Sequence, residues 1–170
     1  MEIRRLDAGE LGAHVEGLAA VLEDCVAGGA SVSYLAPFTL DDARGQVVSF
    51  AADAALGKRL ILAAFDGARI VGTVQIVPAP QPNQPHRAEI AKLLVHRDAR
   101  RQGVAERLMA AAENEARAAG KTLLVLDTVT GDAAERLYTR LGWSRVGVIP
   151  NHALYPDGRP CATTVFYKEL

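Results

Sequence analysis

Three side chains and one loop have the types and spacing needed for chemistry. Period-two alternation predicts that Glu89 shares one face of a strand with Ala91, Leu93 and Val95, an otherwise apolar row. A carboxylate there loses hydration, and its pKa moves up toward a range useful for accepting a proton. It reads alternatively as a partner for Arg87 or a strand edge. Asp127 ends the apolar run Thr122–Asp127, at the strand end where open sheets bind ligands. It can meet a substrate cation, assist as a base, or cap the following turn. Tyr138 falls on a helical stripe with Ala134, Leu137 and Leu141, the placement of a core or half-buried aromatic.

The loop is Arg100-Arg101-Gln102-Gly103-Val104-Ala105, reached from Leu93-Leu94-Val95. A strand leads into a basic turn, and the turn opens a helix. Helix N-termini carry unpaired N–H groups and partial positive charge. Gly103 permits close backbone approach and Ala105 leaves room. The site suits a pyrophosphate; a solvated basic turn is the alternative. No Gly-Lys-Ser/Thr follows, and only one glycine of Gly-x-Gly-x-x-Gly is present, so neither standard nucleotide loop applies. His14, His86, His96 and His152 show no ligand spacing, so no metal is expected.

Positioning these groups requires alternating elements. Ile3–Leu6 is a strand, and apolar Leu11, Val15, Leu18, Leu22 and Val26 predict one helix over residues 9–28. Thr39 caps a second helix, Asp41–Leu56. Arg59–Phe65 and Arg69–Val77 form a hairpin around Asp66-Gly67. A proline-rich segment, 78–86, cannot be regular. Strand Ala88–Val95, helix Val104–Ala119 and strand Thr122–Asp127 make a right-handed parallel crossover. Helix Asp132–Leu141 and strands Trp143–Ile149 and Thr163–Tyr167 complete a three-layer α/β (α+β) fold. Residues 1–170 read as one domain.

The composition fits an ordinary globular chain. It has 170 residues, 49% of them hydrophobic, and a net charge of −1. That charge gives no support to nucleic-acid binding. Apolar runs such as Leu60–Phe65 are far shorter than the roughly 20 residues that span a membrane. The N-terminus has no apolar core of a secretory signal. Cys25 and Cys161 form no metal motif and read as free thiols in a cytoplasm. An excess of Arg over Lys and abundant Ala suggest a GC-rich bacterial source.

The loop Arg100–Ala105 resembles the Arg/Gln-x-x-Gly-x-Gly/Ala signature of the Gcn5-related N-acetyltransferases (GNAT). Downstream, Ala134-Glu135-Arg136-Leu137-Tyr138-Thr139-Arg140-Leu141-Gly142-Trp143 is similar to that family's second signature, in the right order and at the right separation. The resemblance implies a mixed, mostly antiparallel central sheet, parallel at its fourth and fifth strands, with helices on both faces. It implies that Arg100, Arg101, Gln102, Gly103, Val104 and Ala105 bind the pyrophosphate of acetyl-CoA. The exposed backbone of Leu93, Leu94 and Val95 would pair with the pantetheine arm, and an N–H near Leu94 would polarise the thioester carbonyl. Tyr138 would protonate the departing thiolate. Glu89, fourteen residues before Gly103, matches the base of histone-acetylating members. Gly131 departs from the Asn that many members carry seven residues before this tyrosine.

The closing segments, 145–158 and 161–168, are similar to bacterial members that acetylate small molecules, the tabtoxin-resistance group among them. Glu89 and Asp127 have counterparts there. Tyr34, Phe38 and Tyr155 lie in irregular segments, and His86 flanks the proline-rich loop near Glu89. These four are expected to contact the acceptor. The implied reaction is direct acetyl transfer, in a ternary complex, to the primary amine of an amino-acid-like, antibiotic or toxin molecule. A protein acetyltransferase and a non-catalytic acyl-CoA-binding module stay open, as does a longer acyl donor. Homodimers occur in the family, and Thr163–Tyr167 is a strand that could extend a neighbour's sheet.

Overall fold

Seven segments with strand patterning join into one sheet; six of them bury apolar side chains against a neighbouring layer, whereas the segment 144–154 at one edge buries none. The computed structural model describes residues 1–170. In chain order the elements are β1 (Glu2–Leu6), α1 (Ala8–Ala13), α2 (Val15–Ala27), α3 (Leu40–Ala55), β2 (Leu60–Asp66), β3 (Arg69–Pro78), β4 (Arg87–Val95), a 3-10 turn (Arg97–Ala99), α4 (Val104–Ala118), β5 (Leu123–Val129), α5 (Ala133–Arg140), β6 (Ser144–Leu154) and β7 (Pro160–Glu169). The strand order is β1-β2-β3-β4-β5-β7-β6. Every pair is antiparallel except β4–β5, which α4 bridges. This is the mixed α/β architecture expected from the sequence.

Two cores sandwich the sheet. One lies under α4 and includes Ile76, Ile90, Leu108, Met109, Leu124 and Phe166. The other lies under α1–α3 and includes Leu11, Leu18, Leu22, Val47, Ile61 and Leu94. Buried Trp143 joins the first core and donates its indole N–H to Glu113 Oε1 at 3.1 Å, while Lys168 Nζ meets the same carboxylate at 2.8 Å. That pairing satisfies a charge that burial would otherwise penalise. No helix is long and apolar enough to cross a membrane.

Four expectations are corrected. The helix expected over 9–28 is two helices, broken at His14 (φ −110, ψ 7). Asp7 and Glu10 close a capping box around α1, and the His14 ring packs edge-on against Phe65 at 5.3 Å. The apolar spacing runs on through the break, so periodicity could not show it. Strand β6 runs past Pro150 to Leu154, because a bulge between Ile149 and Ala153 releases the proline from the ladder on an edge strand. Strand β7, containing Thr163–Tyr167, pairs with β5 on one side and β6 on the other, so it has no edge to offer a neighbour. Finally, Glu89, Ala91, Leu93 and Val95 do not share one face. A bulge between Thr73/Leu94 and Gln75/Ala91, with Lys92 at φ 51, inserts an extra residue into β4. Ala88 and Ile90 therefore face α4 while Leu94 faces α2, and Leu93 and Val95 pack against the α4 side.

Gly72 fixes how closely α4 approaches the sheet. A Cβ there would lie 3.0 Å from the Leu94 carbonyl oxygen, 3.1 Å from Leu108 Cδ1 and 3.2 Å from Val104 Cγ1. Gly72→Ala is expected to cost about 1–3 kcal/mol through overpacking, read as a lower urea midpoint at constant slope. An unchanged midpoint would show that α4 shifts freely.

Candidate active site

The site exists because β4 and β5 stop pairing. They are in register only from Arg87/Leu123 to Glu89/Val125. Beyond that point β4 stays with β3 as far as Val95, and β5 stays with β7 as far as Val129. The gap opens into a cleft of about 720 Å³. Its walls bring together Glu89, Asp127, Tyr138, Leu93–Val95 and every expected loop residue except Gln102. Along Ile90–Val95 the edge of β4 that faces β5 has no strand partner, so its backbone polar groups are free to pair with an extended ligand.

The loop offers the complementary end of that ligand site. Helix α4 begins at Gly103 (φ 76), and no side chain caps its first N–H groups. A Cβ at Gly103 would meet nothing within 4 Å, so the backbone is open to an approaching anion. Arg101, at φ 60, adds a second left-handed residue and an exposed guanidinium. The other two polar loop side chains, both exposed, hydrogen-bond back to the turn. Arg100 Nε donates to the Val95 carbonyl at 3.1 Å, and Gln102 Nε2 donates to the Asp98 carbonyl at 3.0 Å. They brace the turn.

The proton-transfer candidates have distinct environments. Glu89 is solvent-accessible, yet the cleft walls crowd it. Partial burial raises its carboxyl above the ordinary range and the Asp127 charge adds to this, against the opposing charges of Arg87, Lys92 and Arg59. Tyr138 is 5% exposed, with its ring 5.9 Å from Phe166 and 6.0 Å from Trp143. Burial, followed by the Asp127 charge, pushes its phenol well above the usual value. It therefore stays protonated at neutral pH. Asp127 is exposed on β5, opposite Val165. Its charge couples to both groups, which makes it the electrostatic centre of the cleft.

The four expected acceptor contacts are not among the cleft-lining residues. Tyr34 stacks on Phe38 at 4.5 Å and donates its hydroxyl to Gln46 Oε1 at 3.2 Å. Tyr155 lies in the β6–β7 turn beneath Arg159. His86 is exposed where β4 begins, and its carbonyl accepts the N–H groups of Thr122 and Leu123. No group of three or more His, Cys, Asp or Glu side chains converges to hold a metal.

Three supports around the cleft escaped sequence reasoning because each depends on at least one contact with a residue distant in the chain. Lys92 reaches from the β4 bulge to the segment after α2. Glu135 braces the turn ahead of α5. Its carboxylate accepts the Gly131 N–H and the Thr164 hydroxyl, anchoring the start of α5. Asp24, at the end of α2, holds the turn between β4 and α4 from behind. Its carboxylate accepts the Arg97 backbone N–H at 2.9 Å and the Arg97 Nε–H, and lies 3.8 Å from His96 and 3.9 Å from Arg100. Burial alone would raise the Asp24 pKa, but the Arg97 hydrogen bonds and the neighbouring charges outweigh it and pull the carboxyl below its usual value. A depressed carboxyl stabilises the folded state above its unfolded pKa of about 4 and loses that contribution as pH falls through the folded value. Asp24→Ala is expected to cost about 1–3 kcal/mol and to remove part of the acid-side loss of stability seen in a series of thermal melts from pH 7 to 3. Identical melting curves for the variant at every pH would show that the loop holds its shape without Asp24.

Comparisons with known proteins agree with this geometry. The sequence model of the acetyltransferase (GNAT) family matches residues 33–143, well over half of the chain. The ribosomal-protein-alanine N-acetyltransferase of Brucella melitensis superposes with a TM-score of 0.81 at 23% identity, covering 100% of both chains. YncA of Salmonella typhimurium, solved with its cofactor acetyl-CoA, gives 0.81 at 20% identity over 99% of this chain and 93% of its own. Aminoglycoside 6'-acetyltransferase type Ii gives 0.75 at 21% identity over 99% and 97%. At these identities the structures attest the fold, and the sequence match attests the family. With the family model matched over residues 33–143, the chain belongs to the acetyltransferase (GNAT) family.

Proposed function

We propose that the chain transfers the acetyl group of acetyl-CoA directly to the primary amine of a small molecule, with both substrates bound together. The observation that carries this reading is the pairing in one cleft of a carboxylate poised to gain a proton with a phenol that keeps its own. The unpaired β4 edge and the uncapped start of α4 fit the two ends of acetyl-CoA, the ligand found in the Salmonella relative. Bound there, acetyl-CoA supplies an acyl thioester.

Each residue then has a role. Asp127 attracts the acceptor ammonium. Glu89, directly or through a water, takes its proton and frees the nitrogen lone pair to attack the carbonyl. A β4 N–H near Leu94 stabilises the oxygen that becomes negative. As the carbon–sulfur bond breaks, Tyr138 gives its proton to the sulfur and regains one from the nitrogen, which sheds its second proton as the amide forms, while the proton held by Glu89 returns to solvent. Cys25 and Cys161 are buried and free, and neither is needed as a nucleophile. Ala30–Ser33 and Ala153 wall the cleft, which suits a compact amine better than an extended peptide.

Acetyl-CoA is expected to raise the melting temperature of the wild type, as any ligand of the folded state must. Gly103→Trp should abolish the shift by blocking the anion approach. No shift at millimolar acetyl-CoA sinks the assignment. In a thiol-release assay across small amines and N-terminal peptides, turnover only on peptides would move the reading to a protein acceptor. Binding without any turnover would leave a binding module.

With an active amine in hand, Glu89→Gln and Tyr138→Phe are each expected to lower kcat by about 10²–10⁴-fold. Glu89 must be ionised to act, so the wild-type rate climbs as pH passes through its raised pKa, above the ordinary value of about 4.3. That acidic limb should vanish in Glu89→Gln. If it persists, another group is the base.

A further inference from the structure

Lys92 is a half-buried ammonium whose partners are all neutral. It sits on the left-handed bulge of β4, at φ 51. Its Nζ donates to the Val32 carbonyl and to Ser33 Oγ, each at 2.9 Å, and stands 5.5 Å from the centroid of the Tyr34 ring. Burial lowers its pKa, and the Arg59 charge lowers it further, while Asp127 and Glu89 oppose this. A desolvated cation without a contacting counter-ion costs stability. A left-handed non-glycine residue adds strain. A lysine in that position therefore needs a reason beyond folding.

The segment that it grips supplies one. After α2 the chain crosses to the far hairpin. Ser31 Oγ donates to the Leu154 carbonyl at 2.6 Å, and the Ala36 N–H donates to the Pro156 carbonyl at 2.8 Å. Ala30–Ser33 form part of the cleft wall between these anchors. Between α2 and the β6–β7 turn, Lys92 is the contact that ties this strap to the reactive strand itself. Its charge also acts on Glu89, three residues earlier on that strand.

We propose that Lys92 is a positioning residue for the transfer reaction: it pins the 30–36 strap to β4 along the cleft wall and sets a positive charge three residues along that strand from the Glu89 carboxylate. The proposal rests on the acetyltransferase reading for its purpose. Its physical content is independent of any acceptor. The charged groups that face Glu89 are Arg87 and Lys92 on β4, Asp127 on β5 and Arg59 ahead of β2. Of these, only Lys92 also holds the strap. One side chain thus couples the wall of the acceptor site to the ionisation of the base. Displacing the strap would move the ammonium, and moving the ammonium would change how readily Glu89 takes a proton.

Two readouts on the free protein test this. One is hydrogen exchange of the 30–36 segment. The other is the carboxyl carbon titration of Glu89 by NMR, with its resonance assigned from the Glu89→Gln variant. In Lys92→Met the strap should exchange about tenfold faster or more, and the Glu89 midpoint should rise by about 0.3 to 1 pH, since a stabilising positive charge is lost. Lys92→Gln keeps a donor for Val32 and Ser33 without the charge, so it should show the raised midpoint with most of the strap protection. Lys92→Arg should keep the wild-type midpoint. A cooperative thermal melt with the wild-type circular dichroism spectrum shows that a variant is folded, and the Gln variant carries the titration if the Met variant is not. A Glu89 midpoint that stays put in folded Lys92→Gln overturns the proposal, and so does a strap equally protected in folded Lys92→Met. Failure of the acetyltransferase reading would appear instead as absent thiol release in the wild type, which neither readout measures.

Discussion

The pairing of β4 with β5 lasts three residues and then fails, and most of what this protein can do follows from that failure. A parallel pair in the middle of a sheet would normally continue, since each unpaired backbone group costs free energy. Here each strand is held by its antiparallel neighbour, β3 on one side and β7 on the other. The sheet splits without exposing an outer edge. The cleft presents backbone groups inside the molecule, flanked by α4 and α5, where an extended ligand can complete the interrupted ladder.

The bulge at Lys92 is the local device that goes with the split. One extra residue reverses the facing of β4, so that the row bearing Glu89 serves the α3 side while Leu93 and Val95 return to the α4 side. Glu89 and the unpaired edge at Leu93–Val95 are thereby assigned to different parts of one strand. The cost of the bulge is shared by the contacts of Lys92 with the strap. Asp24 performs the comparable service for the loop, filling its back with a carboxylate that the Arg97 N–H and guanidinium can use.

Much of this was legible in the sequence, for identifiable reasons. Local rules located the strands and the helix starts at Thr39 and Gly103, because capping, glycine conformations and apolar periodicity are short-range effects, and the two signatures came from resemblance to the family. Glu89, Asp127 and Tyr138 could be singled out by type and placement, and the structure brings them into one cleft. The break at His14, the bulge at Lys92 and the grip of Asp24 on residues more than seventy positions away were not legible. Each is decided by tertiary contact, and alternation counted along a strand is blind to an inserted residue. The aromatic residues Tyr34, Phe38 and Tyr155 lie outside the cleft lining, a placement their irregular segments do not reveal. An irregular segment can be occupied by packing, and Tyr34 and Phe38 spend their surfaces on each other.

Trp143 is the chain's one tryptophan. It is buried beside Glu113 and lies 6.0 Å from the ring of Tyr138. The protein therefore carries its own optical label. Light absorbed by Tyr138 can pass to an indole held in a dry, fixed setting, and the emission that results comes from a single known site. Any event in the cleft that turns the Tyr138 ring or shifts α5 writes itself into that emission, without a dye, a tag or an added mutation.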